Sequence, residues 1–325
     1  MRIAAGMYKD NAILIVNKYA GKNQNNRDKH ILGSWKHYKE QVISTLDDHF
    51  ELDIYEPEYG FDKFQEAIYS AAGKHKDSPA VILFYGGDDT GENGLTHYLN
   101  AMDGFGYRNP EHKIAFIMGG EGKAFKYAFG YGSLSHSLEL ITDYRNNHAR
   151  VDLAKFNDER YGFYGGHGFF GRVVGEREKT KISGVKGYVL PAIKTYLYEM
   201  FKDGERTIRF ISDGKENSIR DIGMGLMVGK VRNIGGGIPL IPGAVLNDGK
   251  LHLRSFHKFP LISHGYSGQE FHIEFEDSLH YGGECKGQRS LHVTLERLAI
   301  NLILDKERLI RNKALLPVAD DEYQP

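Results

Sequence analysis

Two glycines, two carboxylates and a hydroxyl stand together at Gly86-Gly87-Asp88-Asp89-Thr90, inside YGGDDTGENG (85–94). The apolar run AVILFY (80–85) precedes them, and a helical pattern with Leu95, Tyr98, Leu99 and Met102 follows. Glycines let backbone N–H groups approach an anion, and a helix N-terminus adds partial positive charge, so the segment has the makings of a phosphate cradle. An ordinary Gly/Asp turn capped by Thr90 would have the same composition. Two other loops share the design: GGEGKAF (119–125) follows the apolar run IAFIM (114–118), and NKYAGK (17–22) follows ILIV (13–16). Three glycine-bearing loops after three parallel strands fall on one edge of a sheet, where open α/β folds bind ligands. Their coincidence points to a nucleotide.

Other patterns carry less. Gly166, Gly168 and Gly171 spell G-x-G-x-x-G, but they lie in a β-rich region with no obvious helix after them and no acidic residue about twenty positions on. A Walker pattern fails because Gly21-Lys22 is followed by Asn23. The fifteen histidines include no H-E-x-x-H spacing, and His252/His257 and His272/His280 read as solvated strand or loop residues. Lys179, Lys181, Lys186, Lys194 and Lys202 surround a stripe of Val189, Ile193, Tyr196, Leu197 and Met200. Such a helix either covers a core or lies on an anionic membrane.

The elements that must position these residues fall into two textures. Strand and helix patterns alternate four times within the first ~140 residues, which predicts a parallel sheet covered on both faces. Beyond about residue 142, YGFYGG, FFGRVV, TIRFIS, MGLMVG, LHLRSF, FHIEFE and LHVTL are short segments separated by Gly, Asn and Asp, the pattern of an antiparallel sandwich or barrel. Residues 296–310 read as helical or mixed. The expected fold is therefore an α/β parallel-sheet nucleotide-binding domain over 1–145 and an antiparallel β-sandwich over 146–296. A length of 325 residues suits two domains. With 42 Lys+Arg against 43 Asp+Glu, no global field gathers nucleic acid. The single Cys285 forms no intrachain disulfide, and no run reaches ~18 apolar residues, so the expected setting is cytoplasmic with at most peripheral membrane contact.

Read together, these segments resemble the diacylglycerol kinase catalytic-domain family, which includes bacterial lipid kinases and the sphingosine and ceramide kinases. ILIVNKYAGK (13–22) is similar to the family's strand and N-P-x-S-G-K turn, keeping Asn17, Gly21 and Lys22. GGDDT (86–90) resembles G-G-D-G-T, and GEGKAF (120–125) takes the place of G-T-G-N-D-F. ARVDLAKF (149–156) and YGGHGFFGRVV (164–174) resemble the entry to the lipid domain. VGKVRNIGGGIPLIPGAVLNDGKLHLRSF (228–256) resembles G-N-G-x-x-x-G-G-G…P-x-A-x-x-x-D-G-x-L, and HYGGECKGQRSLHVTL (280–295) the strand pair carrying D-G-E.

The resemblance implies transfer of the ATP γ-phosphoryl group to a hydroxyl of a lipid or lipid-like small molecule, in a cleft between the domains, with residues 297–325 returning to the first domain. It implies ATP and Mg²⁺ as cofactors. Asn17, Gly21, Lys22, Gly86, Gly87, Thr90, Gly120, Gly122 and Lys123 would bind the nucleotide, Asp88 would act in its loop, and Asp248 would help hold a structural Mg²⁺. The departures fall at the chemistry. Gly282 stands where the family's general-base Asp is expected, Asp89 adds a negative charge, and Glu121, Lys123 and Ala124 replace Thr/Ser, Asn and Asp. Glu284, expected on the same face of one strand as Gly282, is the nearest candidate base. The alternative implied by these losses is an inactive homologue that carries, senses or scaffolds lipid or nucleotide.

Overall fold

The computed structural model describes residues 9–19, 35–58, 60–119, 124–169, 172–173, 176, 190–195, 208–212, 214–219, 225–234, 238–256, 263–274, 279–281, 284–286 and 290–317. Strands β1 (Asp10–Val16), β2 (Phe50–Tyr55), β3 (Ala80–Gly86) and β4 (Lys113–Met118) pair in parallel in the order β2-β1-β3-β4. Helices α1 (Trp35–Asp47), α2 (Phe61–His75) and α3 (Asp88–Gly104) make the crossovers. Right-handed connection places α1 on one face of the sheet and α2 and α3 on the other. Every residue of β3 is consequently buried, which is why AVILFY is a continuous apolar run rather than an alternating one.

Helix α3 begins at Asp88, so DDTGENG lies inside it and not in a loop before it, as the sequence suggested. Tertiary packing overrides the poor helix propensity of two glycines. A Cβ on Gly91 would lie 2.7 Å from the Phe125 ring, and one on Gly94 would lie 2.5 Å from that of Phe84. Their bare faces let the first turns of α3 approach the sheet.

Two short helices follow, α4 (Ala124–Ala128) and α5 (Leu134–Thr142), before β5 (His148–Phe156), β6 (Arg160–Gly162) and β7 (Tyr164–Gly168). Gly166 and Gly168 of the G-x-G-x-x-G match belong to β7, while Gly171 lies outside the described residues. The FFGRVV segment differs from the strand expected, since Phe169, Arg172 and Val173 are helical. In the helical stretch 190–195, Leu190 and Ile193 are 62% and 52% exposed, so Ile193 is not part of a core stripe.

The remaining strands are β8 (Ile208–Ser212), β9 (Lys215–Ile219), β10 (Gly225–Gly229), β11 (Asn233–Ile234), β12 (Ile238–Pro239), β13 (Leu251–Phe256), β14 (Ser263–Gly268), β15 (Glu270–Glu274), β16 (Leu279–Tyr281), β17 (Glu284–Lys286) and β18 (Ser290–Ile303). A six-stranded sheet, β14-β13-β10-β7-β16-β17, faces an extension of the first sheet through β18-β15-β8-β9. Phe156, Phe210, Leu226, Val228, Leu251, Phe271 and Val293, drawn from both layers, form their shared core. The architecture is thus α/β followed by a β-sandwich.

The region expected to be helical or mixed, 296–310, is mixed: β18 runs through to Ile303 and α6 (Lys306–Arg311) follows. Strand β18 pairs antiparallel with β5 along most of its length and in parallel with β4 at Asn301 and Leu302. That pairing supplies the ladder that single-sequence periodicity does not reveal. A register shift between Glu296 and Ile300, with Leu298 at φ 45°, bends the strand as it passes from sandwich to parallel sheet. Helix α6 then docks on the first half through Asp305 N–H to Phe129 O at 3.0 Å.

Candidate functional site

The C-terminal ends of β1, β3 and β4 lie side by side, Val16 opposite Tyr85 and Gly86 opposite Met118. Asn17 N–H donates to Tyr85 O at 2.9 Å, and Gly119 N–H donates to Gly86 O at 2.8 Å, locking the starts of the three loops together. The Asn17 amide Nδ2 donates to Thr90 Oγ1 at 2.9 Å, while its Oδ1 accepts from Tyr19 N at 3.1 Å. Thr90 therefore ties the first loop to the first turn of α3 and does not cap that helix; the N-cap is Gly87, which offers no side-chain cap. A Cβ on Gly86 would stand 2.5 Å from the Thr90 side chain, and one on Gly119 2.3 Å from the Tyr85 ring. The N-terminus of a 17-residue helix with no side-chain cap, beside the starts of two other loops, suits a polyphosphate.

Asp88 joins the start of α3 to the third loop. Its Oδ2 and Oδ1 accept the N–H groups of Ala124 and Phe125, each at 3.1 Å, so it caps α4 and fixes the start of the third loop's helix. Burial raises its pKa, against two amide donors that lower it. Asp89, the next residue of α3, is exposed. Of the other nucleotide-loop residues expected, Gly21, Lys22, Gly120, Gly122 and Lys123 lie outside the described residues.

One turn into α3, Glu92 is 1% exposed. Burial pushes its carboxyl to about 8, with the nearby Arg160 guanidinium and the Phe163 amide, which donates to Oε1 at 3.2 Å, pulling the other way. Glu92 thus fastens α3 to the β6–β7 connection.

Asp248, the expected metal ligand, meets a lysine ammonium and an imidazole. Its Oδ1 accepts from Lys230 Nζ at 2.6 Å, and its Oδ2 lies 2.8 Å from His252 Nε2. Lys230 also reaches Asp152 Oδ2 at 3.0 Å and donates to the carbonyl of Lys250. Burial works to raise the Asp248 pKa, but the bonds from His252 and Lys230 outweigh it and hold it near 2. A lysine ammonium on one oxygen and an imidazole on the other do not suit a divalent ion, which needs oxygen ligands at ~2.1 Å and a free approach. Among the described residues, no group of three or more His, Cys, Asp or Glu is arranged to hold a metal.

No protein-family model matches the chain, and neither does any curated protein. Solved structures do. A diacylglycerol kinase from Bacillus anthracis strain Sterne superposes with a TM-score of 0.65 at 18% identity, covering 92% of this chain and 98% of its own. Two further structures from that strain, provisionally named diacylglycerol kinases, give TM-scores of 0.67 and 0.64 at 20% and 19% identity with the same coverage. The chain has the diacylglycerol-kinase fold.

On this fold, the segment that resembles D-G-E differs from its expected geometry. Tyr281 at the end of β16 pairs with Glu284 at the start of β17, in antiparallel register. Glu284 therefore opens β17, a strand separate from β16, and Gly282 lies outside the described residues. Sequence reading missed Glu92, Asp152 and Lys230 as individuals. A lone Asp between Val151 and Leu153-Ala154 in β5 was the available signal for Asp152, which is fully buried. Among the described residues, no helix is long and apolar enough to cross a membrane.

Proposed function

We propose that the chain is an ATP-dependent kinase that transfers the γ-phosphoryl group to a hydroxyl of a lipid or lipid-like small molecule. The observation that carries this reading is the joining of three loop starts at one sheet edge through Asn17, Thr90, Gly86 and Gly119. The nucleotide phosphates would lie against the α3 N-terminus, with Mg²⁺ arriving as their partner, since that ion is commonly held by substrate phosphates and one or two carboxylates. Asp89 is the exposed carboxylate at this edge. Asp88 contributes by positioning α4, and Glu284 is the proposed proton acceptor for the hydroxyl. The exposed Leu190 and Ile193 support peripheral contact with a lipid surface.

The test is calorimetry of Mg-ATP binding, read beside phosphoryl transfer to a panel of lipid extracts. Saturable binding that Thr90→Ala weakens is expected, as is turnover that Gly282→Asp raises and Glu284→Gln lowers by at least ~10²-fold. Absence of Mg-ATP binding would remove the kinase reading. A second reading, an inactive lipid- or nucleotide-binding homologue, is favoured by the engagement of both Asp88 oxygens in helix capping. Binding without turnover in wild type and Gly282→Asp alike would select it.

A further inference from the structure

We propose that the Lys230 ammonium is a built-in cation that takes the place of a metal ion at Asp248 and Asp152, so that the junction between the two halves is assembled without a divalent metal. The inference stands apart from the nucleotide reading and concerns the opposite part of the chain.

Every carboxylate oxygen in the cluster has a partner. Asp152 Oδ1 accepts Leu298 N–H at 2.9 Å, and Oδ2 accepts Gly249 N–H at 2.8 Å in addition to Lys230 at 3.0 Å. Asp248 Oδ1 accepts Lys230 Nζ at 2.6 Å and Lys250 N–H at 3.2 Å, leaving Oδ2 to His252. The ammonium thus has three oxygen partners, two of them carboxylate and one the Lys250 carbonyl, which matches the three protons it can donate. The Lys230 side chain is 0% exposed and that of Asp152 1%, so these two charges are balanced by protein partners, while Asp248, at 16%, keeps an edge toward solvent.

The four tethered segments come from different parts of the fold. Lys230 ends β10, Asp152 is in β5, Asp248 and Gly249 form the turn before β13, and Leu298 is the left-handed residue at the bend of β18. A buried cation bound by backbone and carboxylate oxygens from several segments is the arrangement a structural metal would otherwise create. A divalent ion introduced beside the ammonium would face like charge at about 3 Å in a dry setting, where repulsion greatly exceeds any gain from sharing the same oxygens.

The experiment follows thermal unfolding and metal binding of the full chain without nucleotide. Wild-type Tm is expected to agree within about 1 °C between EDTA and millimolar Mg²⁺. Mn²⁺ titrated by electron paramagnetic resonance should show no tight site that Asp248→Asn removes. Lys230→Met removes the one ammonium shared by the fully buried Asp152 and the half-shielded Asp248, leaving them amide donors and His252, and should lower Tm by roughly 5 °C in EDTA. A wild-type protein that Mg²⁺ stabilises by several degrees, with the gain lost in Asp248→Asn, would overturn the proposal. So would a Lys230→Met protein as stable as wild type. The wild-type measurements decide the matter even if Lys230→Met does not fold.

Discussion

Glu92 illustrates how one side chain can carry a property of the whole protein. Its folded pKa of about 8 against an ordinary 4.5 means that the folded chain keeps a proton which the unfolded chain releases between those values. The sign follows: its contribution is fully present below pH ~4.5 and is lost as pH rises to about 8, on the order of 4 kcal/mol in all. Glu92→Gln keeps the shape and the acceptor for the Phe163 amide without the titration. Thermal unfolding across pH 5 to 9 is therefore expected to show wild type losing stability relative to Glu92→Gln as pH rises. Parallel pH profiles for the two proteins would mean that Glu92 does not titrate in this range.

Among the elements, α3 sets two opposing effects against each other. Replacing Gly94 with Ala gains about 1 kcal/mol of helix propensity. The added methyl would stand 2.5 Å from the Phe84 ring, itself buried in the β3 core, so the ring or the helix must move. Overpacking of this kind costs roughly 1–3 kcal/mol, and the clash is expected to win. Urea unfolding of Gly94→Ala should show a lower midpoint than wild type. A higher midpoint would mean that α3 has room to shift away from the sheet. The same close seating of α3 brings Thr90 within reach of Asn17, so packing on the glycine face and the joining of the loops are one feature.

At the scale of the molecule, β18 is common property of both halves. It pairs with β15 in the sandwich and with β4 in the parallel sheet, and Asp152 holds its bend from below. Neither half has a complete sheet without it. Differential scanning calorimetry is accordingly expected to give a single transition whose calorimetric and van't Hoff enthalpies agree. Two resolved transitions would show that the shared strand does not couple the halves.

What the sequence determined is what repeats locally. Buried parallel strands are continuous apolar runs, so β1, β3 and β4 were legible to within a few residues, and the change of texture near residue 142 marked the shift to antiparallel structure. The expected convergence of loops followed from the rule that parallel strands share a ligand-binding edge. Tertiary structure alone decided the rest. Whether DDTGENG was loop or helix depended on the Phe84, Phe116 and Phe125 rings that the glycines meet, and those rings come from other elements. The Asp88 carboxylate turns to α4, and Lys230 reaches a carboxylate 78 positions earlier in the chain, because folding brings those partners together. A sequence pattern records spacing along the chain, whereas the partner of a buried charge is set by what the fold leaves beside it in a space without water.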